Sequence, residues 1–112
     1  MDNPTMQRFI RCHELLNCED IMANQRHQLT QPDFADAMIE LDEKLQYRMK
    51  QKGMGTYASI HEALGVLQEE MTEFETEVHA KRDRNAQVEE LKDIAVGAIW
   101  AIASIRSGGV DW

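Results

Sequence analysis

Apolar positions recur along this chain at helical spacing, in four groups. Met6, Phe9, Ile10, His13 and Leu16 share one stripe behind Asn3-Pro4. That pair opens a helix, because Asn caps it and Pro fits its first turn. A second start is Thr30-Gln31-Pro32-Asp33, followed by Phe34, Met38, Leu41, Leu45 and Met49 at steps of four and three. Gly53 stops that helix, and Lys50 and Lys52 lie in its last turn, where cations favour the dipole. Met54 to Ala58 reads as a loop. Ser59-Ile60-His61-Glu62 is a capping box that starts a third helix, whose stripe is Ile60, Ala63, Leu64, Leu67, Met71, Phe74 and Val78. The fourth runs from about Ala86 to Ile105 and beyond Asp93 is apolar on nearly every side. It is too short to span a membrane, so it reads as a central helix, buried in the bundle or in a subunit contact. The pattern predicts an all-α fold in one domain over residues 1–112: antiparallel helices in a four-helix-bundle-like arrangement, completed by oligomerisation. Residues 1–55 hold the N-terminal helices and 59–107 a helical hairpin.

The polar positions of that hairpin are not evenly spread. Glu70 and Glu73 are three apart, as are Glu90 and Asp93. On a helix, residues three apart lie roughly 60° apart around the axis, on one face. An antiparallel hairpin brings Glu70 to the level of Asp93 and Glu73 to that of Glu90. Four carboxylates then converge and repel one another unless a cation lies between them. Mg²⁺, or Mn²⁺, is the fitting occupant for an all-oxygen site. Glu70 and Glu77 border the apolar stripe, where an unpaired carboxylate is costly. The same spacing also occurs on solvated acidic faces that bind nothing.

Composition narrows the partners. The chain carries 20 Asp and Glu against 12 Lys and Arg, a net charge of −8, which disfavours nucleic acid and anionic membrane surfaces. Cys12 and Cys18, six apart on a predicted helix, point different ways and do not suit a disulfide. With His13 and His27 they match no zinc spacing. Free thiols, and the absence of an apolar run or leader-like N-terminus, read as a cytoplasmic protein.

The pattern Glu70-x-x-Glu73, sixteen residues, Glu90-x-x-Asp93, with Glu69 doubling the first carboxylate, resembles the all-α nucleoside triphosphate pyrophosphatases. That group includes MazG-like proteins, dimeric dUTPases and phosphoribosyl-ATP pyrophosphohydrolases. The resemblance covers roughly Ser59 to Ile105. It implies a homodimer or homotetramer that hydrolyses a nucleotide between its α and β phosphates. Glu70, Glu73, Glu90 and Asp93 would hold Mg²⁺, and Glu69 or Glu77 would hold or deprotonate water. Lys81, Arg82 and Arg84 are candidates for contacting pyrophosphate, although basic residues after a helix also serve its dipole. The chain departs from the group after Asp93, where only Trp100 and Ser104 interrupt an aliphatic stretch. Trp100 lies within roughly 20° of Asp93 and about 10 Å further along the helix. It can line a nucleotide pocket or pack in the core. The reading from another class is a non-enzymatic helical oligomerisation module with an acidic, metal-binding patch.

Overall fold

A computed structural model of the chain describes residues 26–80 and 83–110. The helix expected from Asn3-Pro4, with Cys12, His13 and Cys18, lies outside the described residues, as do Lys81 and Arg82. Contacts divide the chain after Gln31, and the unit from Pro32 onward carries the architecture that follows. It is all-helical, with α1 at Gln31–Lys52, α2 at Ile60–Ala80 and α3 at Arg84–Arg106. No strand occurs among the described residues.

The ends of these helices follow local chemistry. Gly53 takes a positive φ of 79°, and its N–H donates to the Met49 carbonyl at 2.9 Å. Gly108, with φ 82°, closes α3 in the same way. Both positions need a residue without Cβ. Ser59 Oγ accepts from the Glu62 N–H at 3.1 Å, while Glu62 Oε1 accepts from the Ala58 N–H at 2.6 Å, so the capping box forms. Asp83 caps α3 by accepting from the Ala86 N–H at 2.8 Å. The helix therefore begins at Arg84, two residues before the start expected from its apolar pattern. An acid in the link outweighs its basic neighbours because it satisfies an orphan N–H.

α2 and α3 form the expected antiparallel hairpin. Their close approach lies at Gly97, where a Cβ would sit 3.2 Å from Leu67 Cδ2. α1 packs alongside α3 and runs the same way: Glu40 pairs with Lys92, Lys44 with Asp93, and Arg48 covers Trp100. The core is Tyr57, Ala63, Val96, Trp100 and Ala101, with Leu45, Met49 and Val66 packed against it. Full burial of a side chain such as Val96 contributes roughly 1.5–3 kcal/mol. Two polar groups inside it are paired across the fold. The Trp100 indole N–H donates to the Gly55 carbonyl at 2.7 Å, and the Tyr57 N–H donates to Ser104 Oγ at 3.1 Å.

Among the described residues, α3 is covered on one side only. Val96, Gly97, Trp100, Ala101 and Ser104 are buried, whereas Val88, Leu91, Ile102 and Ile105 are exposed. Leu64, Met71 and Val78 of α2 are exposed as well, and so are Phe34 and Met38 in the first half of α1. The pattern reads α3 as a central helix, buried in the bundle or in a subunit contact. The fold gives its second side no cover among the described residues.

Candidate metal centre

The hairpin brings three of the four expected carboxylates together. Glu70 of α2 and Glu90 and Asp93 of α3 each present an oxygen, and these three atoms lie within 4.8 Å of one another. Glu70 is three residues from Leu67 and Asp93 four from Gly97, so the close helix approach lies about one turn away. All three acids are half-buried. Glu70 Oε2 and Glu90 Oε2 are buried and have no hydrogen-bond partner. A buried carboxylate oxygen without a donor is costly.

The electrostatics record that cost. Burial pushes the Glu70 carboxyl above its ordinary value, and the charges of Glu73, Asp93, Glu90 and Glu69 push it further. Glu90 is raised by burial first and then by Glu73, Asp93 and Glu77, with Lys44 opposing. Glu73 thus stands near enough to act on two members of the cluster, but it is exposed and is not one of the three that meet. Glu69 is exposed on the same turn as Glu70, and Glu77 is half-buried.

The sequence reading missed a cation from α1. Lys44 Nζ lies 2.9 Å from Glu89 Oε1 and 3.2 Å from Asp93 Oδ1. Burial alone would lower the Lys44 pKa, but hydrogen bonds to Glu89 and Asp93 together outweigh it and hold the ammonium above its ordinary value. Lys92 completes a strap across the helices, 2.6 Å from Glu89 and 3.5 Å from Glu40. Hydrogen bonds from Lys92 and Lys44 hold Glu89 below its usual range. Lys44 and Arg48 border the apolar stripe of α1 at a spacing of four, a signal present in the sequence.

Of the other expected contacts, Arg84 is exposed in the first turn of α3. Trp100 sits in the core, its N–H spent on Gly55 and its ring covered by the Arg48 guanidinium at 5.0 Å. This is the packing alternative for Trp100. The indole also lines an uncharged cavity of about 200 Å³ with Leu45, Met49 and Ile99. A second cavity, of about 230 Å³, adjoins the acids and is lined by Lys44, Tyr47, Arg48, Gln51, Lys52, Glu70, Asp93 and Val96.

The donor set fits a hard divalent cation: three carboxylate oxygens at close quarters, two acids with an unpartnered buried oxygen, and no sulfur or imidazole. No helix among the described residues is long and apolar enough to cross a membrane. Comparisons of the chain with family models, with curated proteins and with solved structures find no match.

Proposed function

We propose that this chain is a Mg²⁺- or Mn²⁺-dependent pyrophosphohydrolase that cleaves a nucleoside triphosphate to a monophosphate and pyrophosphate. The observation that carries the reading is the meeting of Glu70, Glu90 and Asp93, acids from two helices with oxygens inside 4.8 Å. Their mutual repulsion is relieved by a cation. When bound, such an ion neutralises phosphate charge and lowers the pKa of a coordinated water. Glu70, Glu90 and Asp93 hold the ion. Glu73, beside them and open to solvent, orients the attacking water and accepts its proton. The exposed apolar rows, Leu64, Met71 and Val78 on α2 with Val88, Leu91, Ile102 and Ile105 on α3, support a homodimer or homotetramer. Apolar rows this long mark association surfaces.

A second reading has its own support. Lys44 already places a positive charge 3.2 Å from Asp93, which offsets part of the repulsion without a metal. With the apolar rows, this favours a helical oligomerisation module whose acidic patch is not catalytic. A panel of ribo- and deoxyribonucleoside triphosphates with Mg²⁺, assayed for pyrophosphate, decides between them. Release that stops on chelation is expected. No release from any nucleotide, with no Mn²⁺-induced rise in thermal midpoint, would leave the oligomerisation module.

A further inference from the structure

The charges of the groove beside the acids are divided by wall. Glu70 and Asp93 lie on the α2 and α3 side, and Lys44, Arg48 and Lys52 lie on α1. These three cations are spaced four apart, so they form one row along a helix face. In a chain of net charge −8, such a row is where an anion meets least repulsion.

We propose that Lys44, Arg48 and Lys52 are the phosphate-contacting wall of this groove. A metal-bound polyphosphate lies between them and the carboxylates of α2 and α3. The proposal rests on the pyrophosphohydrolase reading and names the residues that would receive the phosphates. Three features support it. First, the Arg48 guanidinium is held by rings rather than by acceptors: it lies 5.0 Å from the Trp100 ring and 6.0 Å from Tyr57. Its Nε is buried and has no hydrogen-bond partner. Ring contacts use the face of the guanidinium and leave its in-plane donors for an anion. Second, Lys52 is exposed and makes no ion pair among the described residues, so it is not committed elsewhere in the groove. Third, Lys44 is bound to Asp93 and to Glu89, which keeps its ammonium beside the carboxylate that a metal would take.

Size selects the part of the ligand. About 230 Å³ is less than the ~300–1,000 Å³ of pockets that enclose whole small molecules, so the groove takes a phosphate chain and leaves sugar and base outside. Of the contacts expected at Lys81, Arg82 and Arg84, Arg84 does not line this groove, and the other two lie outside the described residues.

The test is calorimetric titration of inorganic tripolyphosphate, with Mn²⁺ saturating, into the wild type, Lys52→Gln and Arg48→Lys. Arg84→Gln serves as a control. Mn²⁺ binding alone is followed by the loss of the free-ion resonance signal. Lys52→Gln and Arg48→Lys should each weaken tripolyphosphate binding by roughly 10-fold, in line with a lost hydrogen bond to a charged group, and leave Mn²⁺ affinity within about twofold. Arg84→Gln should bind as the wild type does. If Arg48→Lys fails to fold, exposed Lys52 alone carries the test. Wild-type tripolyphosphate affinity in Lys52→Gln overturns the phosphate wall and leaves the metal centre standing. Lys52-dependent tripolyphosphate binding by a wild type that binds no Mn²⁺ supports the wall and removes the metal centre.

Discussion

The two ends of α3 obey different rules although they share one helix. From Val96 to Ser104 the buried face packs against Tyr57 and Ala63, and its polar groups have partners: Trp100 donates to Gly55, and Ser104 accepts from Tyr57. One turn earlier, Glu90 and Asp93 meet Glu70; Glu70 and Glu90 carry unpartnered buried oxygens, and burial first, then neighbouring charges, pushes their carboxyls up. Among the described residues, the Tyr57 hydroxyl near Gly97 and the Arg48 Nε beside Trp100 depart from this division, each buried without a partner. The contrast between the two ends supports the metal-centre reading proposed above, since stability given up locally is common at functional sites.

The largest effect should come from the satisfied end. Trp100→Ala removes the biggest core side chain and its hydrogen bond to Gly55, and should cost about 3–5 kcal/mol. Denaturant unfolding monitored by circular dichroism measures it. A loss below about 1 kcal/mol would mean that the packed end is not what holds α1 to the hairpin. At the acidic end the substitutions should act on chemistry instead. Glu90→Gln and Asp93→Asn should each reduce pyrophosphate release about 100-fold, roughly 2.7 kcal/mol of barrier, with helicity unchanged. Full activity in both would erase the distinction between the ends.

The smallest effect is the most diagnostic. Glu70 has a raised pKa in the fold, so its protonated form favours the native state. That contribution is complete below its ordinary value of 4.5 and is lost as pH rises through the folded value. Metal-free Glu70→Gln should therefore melt about 1–3 °C above the wild type at pH 7.5 in low salt, and the gap should close towards pH 4.5. Equal midpoints throughout would show that Lys44 and solvent already cancel the repulsion.

How much of this was legible depended on whether a residue acts locally or across the fold. Ser59, Glu62 and Gly53 bond to backbone within four residues, and their spacing alone announced two helix ends. The meeting of Glu70 with Asp93 followed from helical periodicity and one turn. Tyr57 was read as loop, yet it is a core residue, because nothing local reveals that α3 supplies Ser104 to cap its N–H. Asp83 was hidden among basic neighbours. Lys44 and Arg48 carried a visible spacing, but their meaning needed the parallel packing of α1 on α3. Among the described residues, the exposure of Ile102 and Ile105 leaves, of the two readings of α3, the subunit contact to cover that side: an apolar sequence states what a helix can bury, not against what.

Gly97 is described above as a place where two helices come close, and its position gives it a second role. A methyl there would meet Leu67 Cδ2 at 3.2 Å, so a larger residue requires the Leu67 side chain or the two helices to give by a few tenths of an ångström one turn from the acids. The span between Glu70 and the α3 acids is then a function of a side chain that is absent. Mg²⁺ asks for oxygens at about 2.0–2.1 Å in strict octahedral array, whereas Ca²⁺ accepts about 2.3–2.6 Å and looser geometry. A few tenths of an ångström at Gly97 are the same order as that difference. Under the proposed metal reading, ion selectivity would be set partly by a residue that touches no ion, and a change in metal preference would need no change of ligand.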